Sequence, residues 1–255
     1  MNQAGKGEPL RLGVAGAFGR MGSAVRAAIE TDPRVELAAA LGRESGPDDL
    51  ARALAGCEVV VDVSAASAAT ALADAAAGVG RPALVIGATG FSPDEEARIA
   101  AAGRTLAIVK SGNFSIGVAL LARLTRQAAA ALPAETWDID ILDIHHRDKR
   151  DAPSGTAKLL AAAASAGRAT AAADGTPAPG RAAPIGFASL RAGGIVGEHS
   201  VLFAAAGEII VLSHSARDRS LFAAGAIAAA LWVRGRTPGV YGMEEVLDLR
   251  PPAAA

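Results

Sequence analysis

Leu12-Gly13-Val14-Ala15-Gly16-Ala17-Phe18-Gly19-Arg20-Met21-Gly22 is the stretch on which the fold turns. An apolar run of strand character meets a segment of helix formers at 21–30, with Gly16, Gly19 and Gly22 at the junction. Glycines there let the backbone turn tightly and approach a bound pyrophosphate, whose charge the helix N-terminus favours. A glycine-rich loop alone is a weak signal, since many tight strand-to-helix turns use two glycines. This one opens the first strand-helix-strand unit, the context in which such a loop binds a dinucleotide.

Outward from that loop the pattern repeats. Apolar runs at 12–15, 35–41, 59–63, 83–86 and 106–109 alternate with helix-forming stretches at 21–30, 48–55, 67–77 and 93–102. Asp32-Pro33 stops the first helix, because a residue before proline is pushed out of helical geometry. Strands and helices in alternation, joined by short loops, make an α/β fold: a Rossmann-type, doubly wound parallel sheet covered on both faces.

After Asn113 the character changes. A helical pattern at 116–131 leads to the alternating run Trp137-Asp138-Ile139-Asp140-Ile141, and a further helix starts at Thr156. Residues 169–184, rich in Ala, Gly and Pro, read as a surface loop. Strand-like runs at 185–191, 196–203 and 208–213 suggest an antiparallel meander, and a last helix at 220–233 precedes a short tail. The expectation is a dinucleotide-binding domain of residues 1–114 plus 219–255. The second, residues 115–218, is an α+β domain on a mostly antiparallel or mixed sheet, for substrate binding and oligomerisation.

Composition narrows the function. The net charge of −1 gives no reason to expect nucleic acid or an anionic membrane as partner, and 6 Phe, 2 Trp and 1 Tyr leave little for stacking on bases. Cys57 stands alone, so neither an internal disulfide nor a cysteine-based zinc site is available, and no metal is expected. No segment reads as a signal peptide or a membrane span, and the chain reads as cytoplasmic.

The second strand ends in Leu41-Gly42-Arg43-Glu44, where a ribose-reading acid is expected about 20 residues on from the loop. Gly42 has no side chain for a ribose hydroxyl, while Arg43 can pair with a 2′-phosphate. This favours NADPH; Glu44 beside it is the feature that would restore NADH, and a merely solvated Arg43 stays an open reading.

The densest chemistry lies in Asp143-Ile144-His145-His146-Arg147-Asp148-Lys149-Arg150-Asp151-Ala152-Pro153-Ser154-Gly155-Thr156. Two of the four histidines and three basic side chains fall at a strand end, ahead of a helix start whose unpaired N–H groups form a carboxylate site. His199 and His214, in the later strands, read as structural or interface residues.

These residues resemble the dihydrodipicolinate reductase (4-hydroxy-tetrahydrodipicolinate reductase) family, whose double histidine, lysine and Asp-Ala-Pro-Ser-Gly-Thr-Ala pattern is matched from His145 to Ala157. The resemblance covers most of the chain: the loop from Gly16 to Gly22, Gly87-Ala88-Thr89-Gly90, the segment from Ser111 to Gly117, and the strands around Ser189 and His199. It implies that His145 is a proton donor and acceptor, Lys149 a proton donor, and that His146, Gly155 and Thr156 bind substrate. It also implies nucleotide contacts from Gly16, Ala17, Phe18, Gly19, Arg20 and Met21, from Gly87, Ala88 and Thr89, and from Ser111, Gly112, Asn113 and Phe114. The substrate implied is a cyclic imine dicarboxylate of diaminopimelate and lysine biosynthesis, the cofactor NADPH or NADH, and the assembly a homotetramer. There are departures: Gly42 replaces a common acid, Asp62-Val63-Ser64 the usual Asp-Phe-Thr, Ala88 a threonine, and Asp143 a glutamate, its shorter carboxylate either orienting a histidine or simply ending the strand.

In this reading Lys149 and the amides of Gly155 and Thr156 hold a substrate carboxylate, and His145, with an ordinary pKa near 6.5, relays a proton at neutral pH. The competing readings are another NAD(P)-dependent imine or amino-acid dehydrogenase, and a non-catalytic NADPH-binding sensor. A sensor has no need of the proton donor in the histidine-lysine cluster.

Overall fold

The structure, a computed structural model, describes residues 8–173 and 185–248. The chain divides into two compact units, Met1–Phe114 with Ser220–Ala255, and Ser115–Arg219.

The first unit is built on β1 (Leu10–Ala15), β2 (Val35–Leu41), β3 (Val59–Asp62), β4 (Ala83–Ile86), β5 (Ala107–Lys110) and β10 (Gly239–Tyr241). These form one parallel sheet in the order β10-β5-β4-β3-β1-β2. Its connections are α1 (Arg20–Thr31), α2 (Pro47–Gly56), α3 (Ala66–Val79) and α4 (Pro93–Ala102). On one face Val60, Leu84, Ile86 and Ile108 pack with Leu54, Leu72, Ala76 and Ile99 of α2, α3 and α4. Strand residues of the opposite parity, Val59, Val61, Val85 and Val109, are just as buried, which requires cover on the second face. α1 and α7 (Ser220–Val233) supply it; α7 packs on β3, β4 and β5 and is apolar all round, as a helix buried on several sides must be.

The second unit contains α5 (Ile116–Ala131), β6 (Asp138–His145), α6 (Gly155–Ala173), β7 (Gly186–Arg191), β8 (Gly197–Ala204) and β9 (Ile209–Ala216). The sheet order is β7-β6-β8-β9. Burial alternates along β6 and β8, so residues of one parity (Ile139, Ile141, Val201, Phe203) face the core built with Leu121, Ala157 and Leu160.

Two expectations need correction. β7 does not join β8 and β9 in an antiparallel meander; it pairs parallel to β6, while β6–β8 and β8–β9 are antiparallel. The reason is connectivity: α6 separates β6 from β7 in the chain, and a strand–helix–strand crossover returns the second strand parallel to the first. The loop expected at 169–184 is helical as far as Ala173, where the alanine-rich run Ala169-Thr170-Ala171-Ala172-Ala173 extends α6. Its remainder, 174–184, lies outside the described residues. Within the tail, the sequence pattern missed β10 and the one-turn α8 (Met243–Val246), both too short for periodicity to show.

Candidate functional site

The first cluster lies at the carboxyl ends of the parallel strands. Between β1 and β3 the strand order reverses, the place where open α/β sheets bind ligands. Gly16 takes φ +73°, a left-handed conformation that suits glycine, and a Cβ there would lie 2.9 Å from the Val63 carbonyl oxygen. A Cβ on Gly22 would collide with the Gly16 carbonyl and stand 2.7 Å from Ala17 Cα, so α1 can approach the turn only because position 22 is bare. Gly19 caps α1 without a side chain, leaving the amides of the first turn open to an anion.

Thr89 and Gly112 are exposed past the ends of β4 and β5, while Ser111 folds its Oγ back to donate to the Asn113 carbonyl at 2.7 Å. Ala88 and Phe114 are buried, so only their backbone can meet a ligand. Arg43 and Glu44 are exposed after β2. Phe18, 68 % exposed, lies over Gly42, where a Cβ would sit 2.6 Å from its ring, and the Arg26 guanidinium is 5.5 Å from the ring centroid. Asp62 belongs to this place too. Its Oδ1 accepts from Ser64 N and Oγ, its Oδ2 is buried with no partner among the described residues, and burial pushes its pKa up. An orphaned polar atom, a bare anion-binding turn and space kept clear by glycines together fit a dinucleotide.

The second cluster lies where β6 runs into α6. Asp143 and His145 are two residues apart on a strand and so share a face. Asp143 is 1 % exposed and its carboxylate takes four donors. Oδ1 accepts from His145 Nδ1 at 3.0 Å and from the Arg191 guanidinium at 2.7 Å; Oδ2 accepts from Ser154 N at 3.1 Å and Ser189 Oγ at 2.7 Å. Burial alone would raise its pKa, but these donors outweigh it and hold it at about 2. Burial lowers the pKa of His145, with Lys149 and Arg191 adding to the effect and Asp143 opposing it.

Ser154 opens α6: its Oγ accepts from Ala157 N and meets His199 Nε2 at 3.1 Å. His199 packs edge-on to His145, with ring centroids 5.0 Å apart. Gly155 is exposed with open space about its Cα, and Thr156 is half-buried beside it. Lys149 Nζ pairs with Asp151 Oδ1 at 2.9 Å, and His146 is half-buried in the same turn. Thus β6 and its turn into α6 gather His145, His146, Lys149, Gly155 and Thr156. Sequence reading left Asp143 open between orienting a histidine and ending the strand, and missed Ser154, Ser189 and Arg191 as its partners. The strand alternation pairing Asp143 with His145, and Ser189 with Arg191, is the signal that could have found them. Among the described residues no group of His, Cys, Asp and Glu is placed to hold a metal ion, and no helix is long and apolar enough to cross a membrane.

Comparison with known proteins adds independent findings. The family described as dihydrodipicolinate reductase, N-terminus, matches residues 10–114, and its C-terminus counterpart matches residues 117–247. A protein of Caulobacter vibrioides named 4-hydroxy-tetrahydrodipicolinate reductase is 50 % identical over 95 % of this chain and 99 % of its own length. One of the same name from Sinorhizobium medicae is 46 % identical over 94 % of this chain and 98 % of its own. Among solved structures, a dipicolinate-bound dihydrodipicolinate reductase from Paenisporosarcina sp. TG-14 superposes with a TM-score of 0.76 at 22 % identity, covering 93 % of this chain and 99 % of that one. That likeness bears on the fold.

Proposed function

The chain belongs to the dihydrodipicolinate reductase family, and we propose that it reduces 4-hydroxy-tetrahydrodipicolinate to tetrahydrodipicolinate, with loss of water, in diaminopimelate and lysine biosynthesis. It is an NAD(P)H-dependent oxidoreductase. The first unit is its dinucleotide-binding domain and the second its substrate-binding domain. The observation that carries the reading is the convergence, within one turn of the second unit, of His145, Lys149 and the open start of α6.

The glycine turn, Gly87 to Thr89 and Ser111 to Phe114 would hold NAD(P)H, which would supply the hydride when bound. Its addition to a conjugated imine leaves negative charge on the substrate ring, and the chain's own groups must hold and then neutralise that charge. Because Asp143 takes the Nδ1 proton, Nε2 of His145 is the nitrogen that moves protons. The lowered pKa keeps the ring chiefly neutral at neutral pH, so His145 relays a proton rather than storing one. Lys149 is paired with a carboxylate, Asp151, that is 57 % exposed and therefore weakly held; a substrate carboxylate can replace it. The Gly155 and Thr156 amides hold the same carboxylate from the helix start, with His146 beside them.

NADPH is the favoured cofactor in this reading. Gly42 offers nothing to a ribose hydroxyl, the Phe18 ring fills the space where a side chain at 42 would grow, and Arg43 is free in solvent to take a 2′-phosphate. The enzyme is cytoplasmic and homo-oligomeric, a tetramer on the family resemblance. The outer face of the second unit's sheet, with Leu190, Ile209 and Val211 each more than half exposed, supports burial against another copy.

The test is turnover: purified protein, NADPH and freshly generated substrate, followed by nicotinamide oxidation. His145→Ala and Lys149→Ala should each lower kcat by 10²-fold or more, on the order expected for a positioned proton donor, with nucleotide affinity near wild type. A folded, NADPH-binding protein without turnover would end the reductase reading. Loss of nucleotide binding in either variant would end the division of labour.

A further inference from the structure

We infer that Asp143 is a positioning residue for the reaction, a single buried carboxylate that fixes both the proton-relaying His145 and the carboxylate-holding start of α6. The inference rests on the functional reading above and adds the residue that ties its two parts together.

The geometry divides cleanly between the two oxygens. Oδ1 takes His145 Nδ1 and so selects the tautomer that leaves Nε2 for proton transfer. Oδ2 takes the backbone N–H of Ser154, the residue that caps α6 directly before Gly155 and Thr156. Ser189 and Arg191 from β7 complete the set, one on each oxygen, so that the carboxylate cannot rotate without losing two donors. Gly197 leaves the far side of the ring clear, since a Cβ there would lie 3.1 Å from Nε2. Every group in this network sits on a strand or at a helix cap of one unit, which keeps the relay and the anion site in fixed register. The charged groups facing His145 are Asp143, Lys149 and Arg191; the neutral His199 ring lies against it from β8.

Asp143→Asn retains the shape but not the charge, and its amide cannot accept at both oxygens. The expected result is a fall in kcat of at least tenfold and a rise in substrate KM, with the NADPH dissociation constant within twofold of wild type. The kcat–pH profile should also move to lower pH, because His145 loses the one neighbour that favours its charged form. A loss of correctly folded enzyme would scale kcat equally at every pH and leave the profile in place. If Asp143→Asn folds and keeps both kcat and profile while His145→Ala is inactive, the positioning role is overturned and the reductase reading stands. If His145→Ala is active as well, the reading beneath it falls. Should Asp143→Asn not fold, Arg191→Met decides. Removing that cation takes away one of the donors that fix Asp143 and a charge that lowers the His145 pKa, so kcat should fall while the profile moves to higher pH, and a kcat that stays at the wild-type value overturns the inference.

Discussion

Lowering the pH from 7 to 5 should weaken the second unit by an amount traceable to His199. That ring is 4 % exposed, and burial, with the charges of its neighbours, lowers its pKa to about 4. The contacts of the ring agree with this: Nε2 lies 3.1 Å from Ser154 Oγ, Nδ1 is buried with no partner among the described residues, and a charged ring would need an acceptor at both nitrogens. In the unfolded chain the imidazole titrates near 6.5. Between about pH 6.5 and 4 the unfolded state thus binds the proton that the folded state refuses, and stability falls as pH falls. The full difference is about 3 kcal/mol, of which about 2 kcal/mol is lost between pH 7 and 5. Asp143 contributes only at lower pH: its pKa of about 2 against an ordinary 3.8 means that its stabilisation is lost as pH falls through that range. The assay is urea unfolding at pH 7 and pH 5 in a Trp232→Phe background, where Trp137, the remaining tryptophan, reports on the second unit. His199→Gln keeps a hydrogen-bonding side chain but cannot titrate, so its stability should depend on pH by about 2 kcal/mol less than that of the parent. His145 and His214, whose pKa values are also lowered, contribute to both proteins alike. Equal pH dependence in the two proteins would refute the reasoning.

Three further outcomes test the first unit. Gly22→Ala sets a methyl against the backbone of Gly16 and Ala17, which cannot yield as a side chain could; unfolding should show a loss of about 2–3 kcal/mol, and titration should show at least tenfold weaker nucleotide binding. Wild-type values for both would mean that the helix does not need its close approach. Arg43→Ala should weaken NADPH far more than NADH, and Gly42→Asp should improve NADH use only when combined with Phe18→Gly, since the Phe18 ring occupies that space. Competitive nucleotide titrations measure both effects, and equal losses for the two cofactors would remove Arg43 from the phosphate role.

The first unit was legible because its signals are local. The strands at 35–41 and 83–86 and the helices at 93–102 and 220–233 have the bounds that hydrophobic patterning and caps set for them; Ser92 with Glu95, for instance, forms a capping box at the start of α4. The parallel placement of β7 was not legible, because a strand's own alternation says which face is buried but nothing about the direction of its neighbour. β10 was invisible for a different reason: three residues carry no period, and only the exposed hydrogen-bonding edge of β5 makes Gly239-Val240-Tyr241 a strand. In the site, the histidine–lysine turn was visible as a dense run of chemistry, whereas its supports arrive from Ser189, Arg191 and His199, 46 to 56 positions away from Asp143, brought close by sheet pairing alone.

That pairing has a consequence for how stability and chemistry are coupled. Strand register sets Ser189, Asp143, His199 and His214 side by side across β7, β6, β8 and β9. Two of these side chains hold the caps of the helices above them: His199 meets Ser154 at the start of α6, and His214 meets Ser115 at the start of α5, at 3.3 Å. In this row Asp143 is ionised and His145 carries its proton on Nδ1, while burial holds down the pKa of His199 and His214 and keeps them from taking up charge. Charging His199 would put a buried cation with an unsatisfied N–H against the α6 cap at Ser154, whose backbone N–H is held by the carboxylate that orients His145. The groups that hold the second unit together are the same ones that set its proton inventory, which is why a fall in pH should cost this unit stability and catalytic geometry over the same range.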